Sequence, residues 1–497
     1  MSIFRGINKA IVRGTGKLIT DEVKLKFLFL GMFLLFAINL TFAQHQELLE
    51  KPNLWRGKSK RYYDTSEISR AFQDGVLQGH FRYFFMNTDN QGAHSDYFAH
   101  AAGGGIRYES APYRGIQVAV SGFFIFNLHS SDLGLVDSLS NQKNRYEIQL
   151  FDIANPYNFK DIDRLEELYV KYNFSKSTIT AGRQLINTPF INLQDGRMRP
   201  TGVEGFWADI AEWKNTRIEG GYLYGITPRG TVEWYDIGES IGLYGVGVDH
   251  LGNRSKYAGN LESNWVTVVG IHQKVNSHFQ LNAWNTTIDD ILSTNMLQAD
   301  FVIPRDKKNK IYFKSQIIRQ LPIGNGGNEN AQFKYIQDGE KATTFSFRLG
   351  QTQNTWDFNL NYTRITSEGR YLMPREWGRD PFYTFLPRER NEGLGNLHAA
   401  TVKITKSIPK IESKIQLSGG YFKLPSVYDY RLNKYGLPSY AQANLDLRHD
   451  FGGIWKGMEL QVLVAYKHEM ADEFLTPKHI FNKVNMMLYN VVFNYHF

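Results

Sequence analysis

The chain has 497 residues, no cysteine, a formal charge of +8 and 14% aromatic residues, at a mean hydropathy of -0.39. Without cysteine, disulfides, thiolate metal sites and cysteine nucleophiles are excluded. The hydropathy argues against a polytopic helical membrane protein, whose spans each need about 20 mostly apolar residues, but suits a membrane barrel, whose strands of about 10 residues are apolar only at alternate positions.

In chain order, the first feature is the apolar run from Phe27 to Phe42, preceded by Lys24 and Lys26 and followed by Ala43, Gln44 and His45. A charged region, an apolar core and a small residue at the end predict a signal peptide over residues 1–43 cleaved after Ala43, in preference to a membrane anchor. Residues 1–23 make a long lead, so the true start can lie downstream of Met1. The leader carries Arg5, Lys9, Arg13, Lys17, Lys24 and Lys26 against Asp21 and Glu22, half of the total charge of +8. What remains is dispersed, unlike the basic stripe of a nucleic-acid-binding protein. A polar lead-in, predicted to be periplasmic, spans residues 44–78.

From Gly79 to Phe497 one texture repeats with no linker, which predicts a single domain over 79–497. Period-two alternation puts successive side chains on opposite faces of a strand. It is present near 80–87, 104–110 and 145–150. It recurs at 165–174, where Leu168, Val170, Tyr172 and Phe174 share one face and Glu167, Tyr169, Lys171 and Asn173 the other. The triplet Gly103-Gly104-Gly105 looks like a phosphate cradle on paper. It sits in a strand pattern with no helix after it, so it is read as relief of crowding in a barrel wall.

After Thr180–Gln184 the alternation stops, and a loop is expected from Asn187 to Gly205. Its prolines, glycines and turn-forming residues predict a stiff, shaped loop. Asp195 and Glu204 oppose Arg197 and Arg199 along it, as suits a loop folded into a pore where the charges set a transverse field.

Alternation resumes near 217–226, 279–285, 297–302, 343–349, 356–363, 400–405, 413–422, 441–448 and 459–467. The last strand places Met487, Tyr489, Val491, Phe493, Tyr495 and Phe497 on one apolar face. Tyr495 and the terminal Phe497 fit the aromatic C-terminal signal that barrel assembly machinery recognises. At roughly 23 residues per strand and connection, the chain predicts an all-β transmembrane antiparallel barrel of about 18 strands, with 16 the alternative. Such a barrel encloses an aqueous channel. A soluble β-sandwich is the competing fold, and periodicity alone does not separate the two.

The residues Gly182-Arg183-Gln184, Pro189, Ile191-Asn192, Asp195-Gly196-Arg197, Pro200 and Glu204-Gly205-Phe206, after the strand Leu165–Tyr172, resemble the OprD family of substrate-specific outer-membrane porins. The resemblance extends upstream through Gly104–Ser110 and is convincing over about 60–210. It implies a monomeric 18-stranded barrel in the outer membrane, in contact with lipid and lipopolysaccharide, passing small anionic or zwitterionic solutes such as carboxylates. It further implies an inward constriction loop with Arg183, Arg197 and Arg199 on its basic side and Asp195 and Glu204 on its acidic side. A basic row on the wall would guide the solute, and a trimeric general porin is the alternative assembly.

Alternation nominates Arg82, Arg107, Lys171, Arg217, Arg348, Lys403, Lys414, Arg448 and Lys467 as inward-facing wall cations. Each either serves the solute or pairs with a wall carboxylate such as Glu109, Glu147, Glu219 or Asp446. A cation about 4 Å from a carboxylate gains roughly 1 kcal/mol in water and more where water is excluded. Successive weak sites allow both entry and exit. No metal-ligand spacing, nucleophile elbow or P-loop is present, so neither enzyme activity nor a cofactor is expected. The rival function is a non-conducting barrel, an adhesin or envelope scaffold, with a lumen filled by bulky or mutually paired side chains.

Overall fold

The computed structural model describes residues 54–55, 64–194 and 197–497; the predicted signal peptide and Asp195 lie outside them. After a short helix, α1 (Ile68–Gln73), come β1 (Val76–Asn90), β2 (Tyr97–Glu109), β3 (Ile116–Ser130), β4 (Asp163–Phe174), β5 (Ser177–Gln184) and β6 (Gly202–Ile210). Then follow β7 (Thr216–Thr227), the two-residue β8 (Tyr235–Asp236), β9 (Val266–Lys274), β10 (Phe279–Ile288), β11 (Leu292–Pro304), β12 (Asn309–Pro322) and β13 (Ala342–Gln353). The remainder are β14 (Trp356–Ile365), β15 (Leu397–Ile408), β16 (Ser413–Lys423), β17 (Tyr440–Asp450), β18 (Met458–Glu469) and β19 (Met486–His496).

Apart from β8, which pairs with β7 alone, each strand is antiparallel to its sequence neighbours, and β1 pairs with β19. The result is a closed antiparallel barrel of eighteen strands, as the alternation predicted. At the seam the Gly79 amide donates to the Phe497 carbonyl at 2.8 Å, and the Phe497 amide to the Gly79 carbonyl at 3.1 Å. Closure leaves no edge strand among the eighteen.

Most connections alternate in length, the short 289–291 being an exception. Residues 175–176, 211–215, 354–355 and 409–412 form tight turns at one end, while 131–162, 228–265, 323–341 and 366–396 form long loops at the other. Short turns mark the periplasmic end of such barrels and long loops the external end. The two ends of the barrel chain meet at the short-turn end.

Burial follows the alternation. Leu168, Val170, Leu360, Val402 and Leu417 are exposed on the outer face, while Asn361, Thr363, Thr401, Ser418 and Asn444 are buried on the inner one. The apolar core lies inside the barrel. One cluster gathers Phe190, Val203, Trp377, Phe382 and Leu386 around the loops after β5 and β14. A second gathers Phe84, Met86, Phe123, Leu150, Met198 and Leu488.

Three boundaries differ from expectation. The first strand starts at Val76 rather than Gly79. Residues 145–150 are no strand: Glu147–Leu150 form a buried 3-10 turn within the loop after β3. Its alternation is accidental, because both faces are covered by the barrel interior. Glu147 is therefore not a wall carboxylate; it accepts hydrogen bonds from Thr88 Oγ1 at 2.5 Å and Asn144 Nδ2 at 2.7 Å. The loop expected to run to Gly205 ends at Thr201, since Gly202–Ile210 pair with both β5 and β7.

Candidate functional site: the barrel lumen and its two inner loops

A β-bulge sets the first part of the site. On β4, Glu167 pairs with Ser121 and Leu165 with Gly122, so Glu166 has no partner opposite on β3. The extra residue breaks the alternation, and Glu166 and Glu167 are both buried. Strict alternation hides this, because it turns Glu166 towards lipid.

Glu166 is the anchor for Arg199. Arg199 Nε donates to Glu166 Oε1 at 2.5 Å and Nη2 to Glu166 Oε2, a bidentate fork. Arg164 Nη2 reaches the same carboxylate at 2.7 Å and the Pro200 carbonyl at 2.7 Å. The Arg199 guanidinium also lies 4.4 Å from the Phe123 ring centroid and 4.9 Å from that of Trp55. The glycine triplet makes room for this stack: a Cβ on Gly103 or Gly105 would meet the Phe123 ring at 2.5 or 2.6 Å. Its reading as relief of crowding holds, and the group relieved is the platform under Arg199.

The other loop residues divide. Arg197 is buried, with Nη2 3.2 Å from Gln149 Oε1. Arg183 and Glu204 pair with each other at 2.9 Å, directly opposite on β5 and β6. Arg183 also stands opposite Leu168, which is 53% exposed. The pair thus shares the register of the outer face, under the Trp234 ring at 4.5 Å, rather than that of the lumen. Glu204 and Gly205, expected to end the loop, instead belong to β6, where Gly205 pairs with Gly182 of β5 and the register against β7 shifts after Glu204.

Residues 366–396, between β14 and β15, form a second loop that packs against the inner wall and that alternation alone does not reveal. Most of its side chains are buried, among them Arg370, Arg375, Glu376, Arg379, Asp380, Glu389 and Glu392. Arg348 Nη2 on β13 donates to the Tyr383 carbonyl at 3.1 Å. Gln442 and Asn444 on β17 donate to the Pro387 carbonyl at 2.7 and 3.0 Å, and Lys467 Nζ on β18 stands 3.4 Å from the Arg388 carbonyl. The loop thereby touches the inner wall from β13 to β18. Asn192 joins the two loops, accepting from the Arg379 amide at 3.1 Å and donating to its carbonyl at 2.9 Å. The available signal was a gap in the alternation, filled by Arg, Glu, Asp and Pro.

Burial governs ionisation in this loop. It pushes Asp380 up to about 6, against the Asn391 amide donated to it at 2.7 Å. Burial and the neighbouring Asp380 carboxylate raise Glu389 well above the usual range. Burial also raises Glu376, although the amides of Gly242 and Tyr244 donate to it at 3.0 and 2.9 Å. On the external side, Lys434 lies 4.7 Å from the rings of Tyr257 and Tyr335 and 3.7 Å from Glu392, clasping four loops together.

The nine wall cations all take inward registers, in three groups. Arg107 and Lys171 pair with Glu109 at 3.3 and 2.5 Å, Arg217 with Asp209 at 2.6 Å and Glu219 at 3.2 Å, and Arg448 with Asp446 at 3.0 Å. Arg348, Lys403 and Lys467 are buried behind the 366–396 loop. Arg82 packs 5.5 Å from the Phe84 ring, and Lys414 stands opposite Arg448. Tyr495 and Phe497 lie ring to ring, 5.6 Å apart, on the outer face at the seam.

The sequence matches the family model of an outer membrane porin, OprD family, over residues 71–382. No curated protein matches the chain in sequence. Among solved structures, the fold is similar to that of Pseudomonas aeruginosa OccK9 (OpdG), at a TM-score of 0.66 and 13% identity over 86% of this chain and 99% of that one. Acinetobacter baumannii OccAB3 gives 0.66 at 15% identity, with 86% and 99% covered. Pseudomonas aeruginosa OpdK, solved with vanillate, gives 0.63 at 12% identity, also with 86% and 99% covered.

Proposed function

The chain belongs to the OprD family of outer membrane porins, and from that premise we propose that it passes small hydrophilic, carboxylate-bearing solutes by passive diffusion. The observation that carries this reading is the arc of Arg348, Lys403 and Lys467 on the inner faces of β13, β15 and β18. These cations face a loop that carries two buried acids of its own, Asp380 and Glu389. The field of this buried positive arc would reach a solute carboxylate passing along the open side of the loop. The vanillate bound by OpdK is a carboxylate, which fits the same chemistry.

In this reading the loops at 185–201 and 366–396 narrow the lumen. The first contributes Arg197 and Arg199, with Arg199 clamped as the loop's anchor, and Asp195 precedes both in sequence. Residues 1–43 direct export, the residues from 44 up to β1 form the periplasmic lead-in, and the barrel works as a monomer. Mutual pairing of lumen charges around Glu109 and Glu166 favours the second reading, a non-conducting scaffold.

Single-channel recording of the refolded chain in a planar bilayer separates the two. The channel reading expects discrete conductance with an anion preference. That preference should fall by about threefold or more in Lys403→Gln/Lys467→Gln, since a nearby charge contributes on the order of 1 kcal/mol. It should also shrink as salt is raised. A folded barrel without conductance would leave the scaffold.

A further inference from the structure

Three basic side chains stand side by side on the outer wall near its external end. Arg364 on β14 pairs directly with His398 on β15, and His398 with Lys423 on β16. All three share the outward register, in line with exposed Tyr362 and Leu360 on β14, Val402 on β15, and Tyr421 and Leu417 on β16. Each lies at the long-loop end of its strand, two residues beyond the tyrosines on β14 and β16.

Two residues along a strand is about 7 Å. Tyrosines mark the membrane–water interface in transmembrane proteins, so the three side chains stand at headgroup level. Below them the outer face is apolar.

The charges of Arg364 and Lys423 are not balanced among the described residues. Arg364 donates to the carbonyls of Ile365 and Leu397 and to Asn396 Oδ1, at 2.7, 3.3 and 2.8 Å, all neutral acceptors. The Tyr362 hydroxyl lies 2.7 Å from His398 Nδ1; when it donates there, Nε2–H points outward. Among the described residues, neither Arg364 nor Lys423 has an ion-pair partner. Elsewhere on the same rim the outward cations are neutralised, Arg319 by Glu368 at 2.6 Å and Arg183 by Glu204 at 2.9 Å.

We propose that Arg364, His398 and Lys423 bind a phosphate group of lipopolysaccharide in the outer leaflet. A phosphate accepts charge-assisted hydrogen bonds from guanidinium and ammonium groups, and its lipid chains would lie on Leu360, Val402 and Leu417. The proposal rests on the outer-membrane placement of the family and is independent of what the pore passes.

The test is native mass spectrometry of the refolded full chain in detergent, titrated with diphosphorylated lipid A and with its dephosphorylated form. We expect one lipid retained, with affinity lowered about tenfold for the dephosphorylated form and for Arg364→Gln/Lys423→Gln, the loss of one or two charge-assisted bonds. Lys423→Gln alone, whose side chain holds no backbone in place, should lose part of it, and Arg319→Gln should lose none. Equal binding of both lipid forms, an unchanged Lys423→Gln, an equal loss in Arg319→Gln, or displacement by millimolar inorganic phosphate would each overturn the proposal. Conductance measured on the same samples reports on the porin reading separately: lipid binding without conductance leaves this inference standing and that one fallen.

Discussion

A single carboxylate holds the first inner loop to the wall. Glu166 takes two buried arginines, Arg164 and Arg199, so the cluster carries one net positive charge as it stands. Removing the acid leaves two uncompensated buried cations, whereas Arg199→Met leaves a neutral Arg164–Glu166 pair. Breaking a buried ion pair by deleting one partner typically costs 3–5 kcal/mol, about the size expected for Glu166→Gln. We expect Arg199→Met to cost markedly less, and urea unfolding of the two variants in vesicles checks the order. A sequence reader finds Arg199 from its loop but cannot find Glu166. The bulge that turns Glu166 inward is a property of β3 and β4 together, and alternation along β4 alone assigns it to the lipid face.

At the scale of elements, the strands were legible because each needs only its own alternation of apolar and polar residues. The inner loops were legible only as gaps. The segment at 187–201 stood out for its turn residues, while 366–396 did not, since its contacts come from partners as distant as β17, β18 and Asn192. That second loop carries a pH dependence. Asp380 titrates near 6 in the fold against about 3.9 in an unfolded chain. Its folded pKa is raised, so the folded loop binds the proton more tightly than the unfolded chain does. The stabilisation is complete below about pH 4 and lost as pH rises through 6, with a span on the order of 2–3 kcal/mol. We expect amide hydrogen exchange in 366–396, corrected for its intrinsic pH dependence, to show greater protection at pH 5 than at pH 7. Asp380→Asn should flatten that difference.

For the whole molecule, strand number and class followed from length, alternation and the aromatic terminus, and the closed barrel agrees with them. The placement of Arg183 did not follow. It sits near the constriction motif in sequence, yet the register of β5 against β4 gives it to the outer face opposite Leu168. Residue type and loop proximity suggested the lumen, and pairing register decided otherwise. The same register logic assembles Arg364, His398 and Lys423 from three strands, a row that no local window of sequence displays.

The seam between Gly79 and Phe497 also fixes an order of events. His80 and Asn494 meet there across 414 positions of chain, whereas every other neighbouring pair of barrel strands is adjacent in sequence. Closing a loop of that length from a disordered chain costs about 5 kcal/mol in entropy beyond a constant, from the logarithmic law. Contacts of such separation form slowly. The first strand therefore waits with one edge bare while its partner arrives last, and a bare edge is a template for any other strand. Both chain ends of the barrel lie at the short-turn end, so they can be linked there and the chain reopened at the turn 175–176. Such a permutant should reach the same barrel with its exposed edge moved to β4 and β5, a shift that protease sensitivity during refolding would reveal. Vulnerability in transit is thus a matter of where the polymer is cut, while the finished wall has no beginning.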